Sequence, residues 1–116
     1  MLVNPNKLPK EIEIEDSLEE MQKLVHGLIE VCYLLDDKEV VLICNDEGKI
    51  NNMPLNRFIG YDVIAGPFLI LGDDYENAGF KSLTKKQIKY YKGKFNETSF
   101  LISKEKIEKR KKEYER

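Results

Sequence analysis

Ile12 and Ile14 alternate with Glu11, Glu13 and Glu15, the period of two that marks a strand with one buried and one wet face. Behind Ser17, the apolar residues Leu18, Met21, Leu24 and Val25 fall at helical spacing, and Ser17 with Glu20 has the form of a capping box. The pattern therefore predicts a helix from Ser17 to His26, with Gly27 as its left-handed stop. Leu28 to Leu35 and Lys38 to Cys44 are mostly apolar or β-branched, as expected of strands central in a sheet. Joined by Asp36 and Asp37 as a two-residue loop, they form a hairpin in which Cys32 opposes Val41 and Cys44 opposes Ile29. That register puts the two sulfurs on opposite faces. Asn45 to Lys49 reads as a turn in which Gly48 takes a positive φ, and Ile50 opens a return strand.

From Asn51 to Gly60, Pro54 precedes Leu55, Phe58 and Ile59 at helical spacing, which predicts a short helix or a packed loop. Tyr61 to Leu71 reads as one strand or two, interrupted at Ala65-Gly66-Pro67 and ended by Gly72, and Asp73 to Phe80 as an acidic surface loop. Thr84 and Gln87 then make a capping box, with Leu83 and Ile88 spaced as a hydrophobic staple, for a helix ending near Gly93. Ser103 can cap a last helix, although Lys106 stands where the box needs glutamate or glutamine. Met1 to Val3 adds a short first strand. The fold class is α+β: an antiparallel-rich sheet of four or five strands, one helix packed on a face and two C-terminal helices. Residues 1–95 form a single domain and residues 96–116 a charged, helical extension.

Length and composition agree with this. The chain has 116 residues, 41% hydrophobic and 34% charged, enough apolar surface for one small core and enough charge for solubility. No apolar run approaches the ~18 residues of a spanning helix, and the N-terminus lacks the pattern of a signal peptide. A cytoplasmic location without membrane contact is the expectation. The chain contains two cysteines, Cys32 and Cys44, and one histidine, His26, with no CxxC pair. That set falls short of the four Cys or His ligands of a structural zinc site, so no metal or other cofactor is expected. His26 lies at a helix end, where exposed carbonyls favour a cation, and no Ser-His-Asp or Cys-His arrangement emerges. Catalytic residues are therefore none, and the chain reads as a non-enzyme. Glu30, alone among apolar neighbours, belongs at the open face of the sheet or serves as an acid in a pocket.

Charge divides the chain. Residues 1–80 hold 6 Lys and Arg against 16 Asp and Glu, whereas residues 81–116 hold 13 against 5. Lysines beside Tyr90, Tyr91, Phe95 and Phe100 could contact phosphates and bases. The same basic segment could instead complement the acidic domain or a neighbouring subunit, as in a homo-oligomer. The acidic remainder repels a polyanion, so nucleic acid is the less favoured partner.

The run from Gly48 to Arg57 (GKINNMPLNR), followed by Asp62 to Gly72 (DVIAGPFLILG), resembles a family of small proteins from Gram-positive bacteria, their phages and mobile elements, catalogued as a domain of unknown function. Ser17 to Val31 and Ser82 to Ile88 fit the same pattern, so the similarity spans roughly residues 8–95. The resemblance implies an α+β domain in a mobile-element setting and carries no reaction to transfer. Asn56 and Arg57 are the polar positions to test within it. With Lys49 they could hold a small nucleotide at the sheet edge, since an arginine fork suits phosphate; alternatively they tie a loop to backbone carbonyls or to Glu30. The favoured function is a non-enzymatic accessory protein that acts on a host protein; small-ligand binding and nucleic-acid binding are the alternatives.

Overall fold

The computed structural model describes residues 1–33, 37–60 and 62–97. In chain order the elements are β1 (Leu2–Val3), α1 (Leu18–Val25), β2 (Ile29–Cys32), β3 (Val40–Asn45), β4 (Leu55–Ile59), β5 (Asp62–Ala65), β6 (Phe68–Asp74), β7 (Gly79–Lys81) and α2 (Lys85–Lys94). The fold is α+β, and every strand pair is antiparallel. Five strands make one sheet in the order β1-β6-β3-β2, with β7 also paired to β6, and β4 and β5 make a separate hairpin. The second C-terminal helix expected from Ser103 lies outside the described residues.

β3 is central, and all six of its residues are buried. Alternation along it therefore feeds two cores. Val41 and Ile43, with Leu69 of β6, pack against Met21 and Val25 of α1. Val40, Leu42 and Cys44, with Phe68 and Ile70, pack on the other face against Ile59, Ile64, Tyr91 and Phe95. Each fully buried aliphatic or aromatic side chain here contributes about 1.5–3 kcal/mol relative to exposure.

The box at α2 forms as written in the sequence, whereas α1 shows only half of its box, the Ser17 amide donating to the Glu15 carbonyl in place of the Glu20 carboxylate. Ser17 accepts from the Glu20 amide at 3.2 Å. At α2, Thr84 and Gln87 complete both halves of the box, at 3.1 and 2.8 Å. Helix α2 runs one residue past Gly93, to Lys94. The stop of α1 differs: His26, not Gly27, takes the left-handed conformation, at φ 64°, while the Gly27 amide donates to the Gln22 carbonyl.

Several elements depart from expectation. Glu11 to Glu15 is extended and keeps the expected alternation of exposure, but it joins no sheet; its nearest pairing is the bridge between Leu2 and Lys10. The free edge of β6 is already divided between β1 and β7, so Ile12 and Ile14 contribute packing without a ladder. Ile50 opens no strand and is exposed. Gly48 is not a positive-φ residue; it is where the backbone approaches the Ala65 carbonyl too closely for a Cβ. Residues 55–59 are a strand rather than a helix, and β6 continues through Gly72 to Asp74 before turning into β7. The β5–β6 break falls at Gly66-Pro67, with Gly66 at φ 86°.

The β2–β3 register is one residue away from the expected one. Cys32 pairs with Leu42 and Glu30 with Cys44. Because side chains alternate with a period of two, this single step brings both sulfurs to the same face. The cause lies in the connection: Asp37 belongs to a turn that closes through the Val40 amide, and its carboxylate accepts from the Glu39 amide. The link is therefore longer than a two-residue loop.

Candidate functional site

Asn56 and Arg57 are consecutive on β4, and a regular strand would send them to opposite faces. The pairing of β4 with β5 moves from Leu55–Ala65 to Phe58–Val63, which inserts one extra residue into β4. Such a bulge re-aims side chains. Both residues are consequently buried, Asn56 at 0% and Arg57 at 3% exposure.

Their polar atoms face backbone. The Asn56 amide donates to the carbonyls of Val3 at 2.8 Å and Gly66 at 2.9 Å, and its oxygen accepts from Arg57 Nη1 at 2.8 Å. Arg57 Nε and Nη2 both donate to the Phe95 carbonyl, at 3.2 and 3.0 Å, and Nη2 reaches the Lys7 carbonyl at 2.6 Å. Burial pulls the guanidinium below its ordinary pKa, while the Glu97 carboxylate works in the other direction. Lys49 stands apart, in an exposed ion pair with Asp62. The three residues do not converge on one pocket. Asn56 and Arg57 form a buried knot joining β1, β4, the β5–β6 turn and the end of α2.

A cavity of about 790 Å³ does lie at the sheet edge, lined on one side by Glu11, Ile12, Glu13, Ile14 and Asp16 and on the other by Ile70, Leu71, Phe80 and Lys81. None of Lys49, Asn56 and Arg57 lines it. A second, exposed surface lies at the β6–β7 turn. There the end of β2, the start of β3 and the β6–β7 turn bring together Tyr33 and Tyr75, at 65% and 64% exposure, with Asp37, Glu39, Asp74 and Glu76. The Tyr75 hydroxyl donates to the Lys38 carbonyl, and Tyr33 lies close enough to act on that hydroxyl electrostatically.

The family model described as "Domain of unknown function (DUF3846)" matches residues 1–96. The chain belongs to the DUF3846 family. No curated protein and no solved structure matches it significantly. Within the DUF3846 domain, α2 is joined to the acidic part of the chain by Lys92 on Glu11 at 2.8 Å and Gln87 on Asp37 at 3.1 Å. Lys92 holds the Glu11 carboxyl below its ordinary pKa by hydrogen bond and charge. Among the described residues no helix is long and apolar enough to cross a membrane. Sequence reading missed the tyrosine-bearing end because Tyr33 and Tyr75 are distant in sequence, and only the β3–β6 register brings the end of β6 beside the β2–β3 connection.

Proposed function

We propose that the chain is a non-enzymatic accessory protein that receives a basic surface of a protein partner at its acidic, tyrosine-bearing end. The observation that carries this reading is the exposure of Tyr33 and Tyr75, close enough to influence one another electrostatically, on segments that also carry Asp37, Glu39, Asp74 and Glu76. Tyrosine offers large contact area with few rotamers to immobilise, and interfaces are enriched in it. The bond from Tyr75 to the Lys38 carbonyl holds one ring in place before a partner arrives, which lowers the ordering cost of association. The acids favour a cationic partner and disfavour self-association through this end, since two copies would oppose like charges. In the mobile-element setting implied by the sequence resemblance, the partner is a host protein. Asn56 and Arg57 support a non-catalytic reading, because their hydrogen bonds are directed at backbone within the fold.

The test is capture of a partner by the immobilised chain, its identification by mass spectrometry, and calorimetric titration against a Tyr33→Ala, Tyr75→Ala double variant. Anchors of this kind are worth about 2 kcal/mol or more, so affinity should fall ~30-fold with the melting temperature unchanged. A partner without a basic surface, or one held equally by the variant, overturns the reading.

The cavity favours a second reading, small-ligand binding. Its volume lies in the range of ~300–1,000 Å³ typical of ligand sites. Glu11, Glu13 and Asp16 suit a cationic or amphipathic molecule better than a nucleotide. A thermal-shift screen separates the two classes, since a ligand at ~100 times its Kd adds ~2.7 kcal/mol.

A further inference from the structure

We propose that Glu30, Cys32 and Cys44 form a binding site for a thiophilic divalent cation of the zinc class. The β2–β3 register creates it. Glu30 is directly opposite Cys44, and Cys32 is two residues along β2, on the same face. One ligand atom from each residue lies within 4.8 Å of the others. A tetrahedral zinc site with Zn–S near 2.3 Å and Zn–O near 2.1 Å needs sulfurs about 3.8 Å apart and sulfur–oxygen separations of about 3.5 Å. The three groups therefore need to close by roughly an ångström, within the reach of side-chain rotation.

The donor set selects the cation. Calcium and magnesium take oxygen ligands, whereas two thiolates with one carboxylate suit zinc and its soft neighbours. The surroundings favour a positive ion. Cys32 feels the negative charge of Glu30 and Asp62, and Cys44 that of Glu30 and Asp46. Burial first, and these charges after it, raise both thiols above the ordinary cysteine range. On binding, each thiol loses its proton to solvent and the metal takes both sulfur lone pairs, so two protons leave for one divalent ion and no electron is transferred. Glu30 is exposed, which leaves the fourth position facing water.

A disulfide is a poorer use of the same two cysteines. Cys32 pairs with Leu42, so Cys44 is its diagonal neighbour. Diagonal positions lie ~7–8 Å apart, beyond the ~4.4–6.8 Å between Cα atoms that a disulfide spans. Both cysteines are free.

The site is independent of the tyrosine-bearing end and is tested without a partner. The full chain, kept reduced, is titrated with zinc by calorimetry and with cobalt by absorption. The expected results are one equivalent bound, a raised melting temperature and thiolate-to-cobalt charge-transfer bands. Cys32→Ser carries the test, because it leaves the buried Cys44 packing intact; it should weaken zinc by ~10-fold or more and diminish those bands. Glu30→Gln should weaken zinc and keep them. Absence of zinc binding at micromolar concentration, a cobalt spectrum without thiolate charge transfer, or undiminished affinity in both variants overturns the proposal.

Discussion

Arg57 closes the carboxyl end of α2: its Nε and Nη2 share the carbonyl of Phe95, the residue that caps the helix. A cation at this position also meets the negative end of the helix dipole. The contact explains why a residue suited to phosphate recognition is buried. It orients a helix that has few apolar residues of its own, Ile88, Tyr91 and the capping Phe95 being its anchors.

Truncating Arg57 removes bonds to two carbonyls and to Asn56. Hydrogen bonds to charged groups contribute about 1.5–3 kcal/mol, and a carbonyl left buried adds its own cost. Arg57→Ala should lower unfolding free energy by about 2–4 kcal/mol in urea titrations. Arg57→Lys should recover only part of this, because an ammonium lacks the planar fork that Phe95 and Asn56 share. Asn56→Asp should be worse than Asn56→Ala, since it points a carboxylate at the carbonyls of Val3 and Gly66.

Two glycines give opposite results. A Cβ on Gly48 would lie 2.5 Å from the Ala65 carbonyl oxygen, so Gly48→Ala must displace backbone and should cost about 1–3 kcal/mol. Gly93 lies inside α2 with nothing within 4 Å of the same position. Gly93→Ala should stabilise by ~0.5–1 kcal/mol through helix propensity. Thermal denaturation of the two variants side by side checks both signs.

These positions also show how far the sequence could be read. Capping boxes and apolar stripes are local, and the Ser17 and Thr84 caps appear where the residues put them. Residues 55–59 misled because the bulge lengthens one step of the strand alternation from two to three, so Leu55, Phe58 and Ile59 imitate a helix. Glu11 to Glu15 shows the converse: exposure alternates along any extended segment packed on one side, whether or not a ladder partner exists. The cysteine faces turned on a single step of register, set by a turn at Asp37 that composition does not announce. Counting only Cys and His as ligands concealed the Glu30 cluster, because a carboxylate gains meaning as a ligand only when pairing places it opposite Cys44. Asn56 and Arg57 stand out in the sequence as polar residues in a stretch built for packing, and what they contact is a tertiary fact.

In the folded chain, burial first, then the neighbouring Cys32 and after it Glu30, push the Cys44 thiol up to about 12, and Cys32 is raised for the same leading reason. Alkylation of the folded protein should therefore be slow at neutral pH and rise about tenfold per unit as pH climbs toward 12, measured by mass spectrometry in the presence of a chelator. The linkage sign follows. An unfolded cysteine deprotonates near pH 9 while the folded one keeps its proton, so the folded state binds more protons between those values. This contribution to stability is complete below pH 9 and is lost as pH rises from there toward 12. A Cys44→Ala chain should show a shallower alkaline decline in denaturation midpoint.

Lys85, Lys86, Lys89, Lys92 and Lys94 lie on α2, but Lys92 is on Glu11 and Lys94 lies about 6 Å from the rings of Tyr90 and Phe95. If all five met phosphates, duplex affinity would fall with a log-log salt slope of about −4.5, at −0.9 per contact. A duplex must also approach a domain whose first 80 residues hold 16 acids against 6 bases. Fluorescence anisotropy should therefore show no tight duplex binding at ~150 mM salt, where the electrostatic contribution is already strongly reduced. Deleting Lys104 to Arg116 removes 7 basic and 4 acidic residues, a modest net change. That deletion should alter melting temperature or oligomeric state and leave nucleic-acid affinity where it was. Tight duplex binding at ~150 mM salt that disappears with the deletion would reverse the assignment and make the basic segment a nucleic-acid contact.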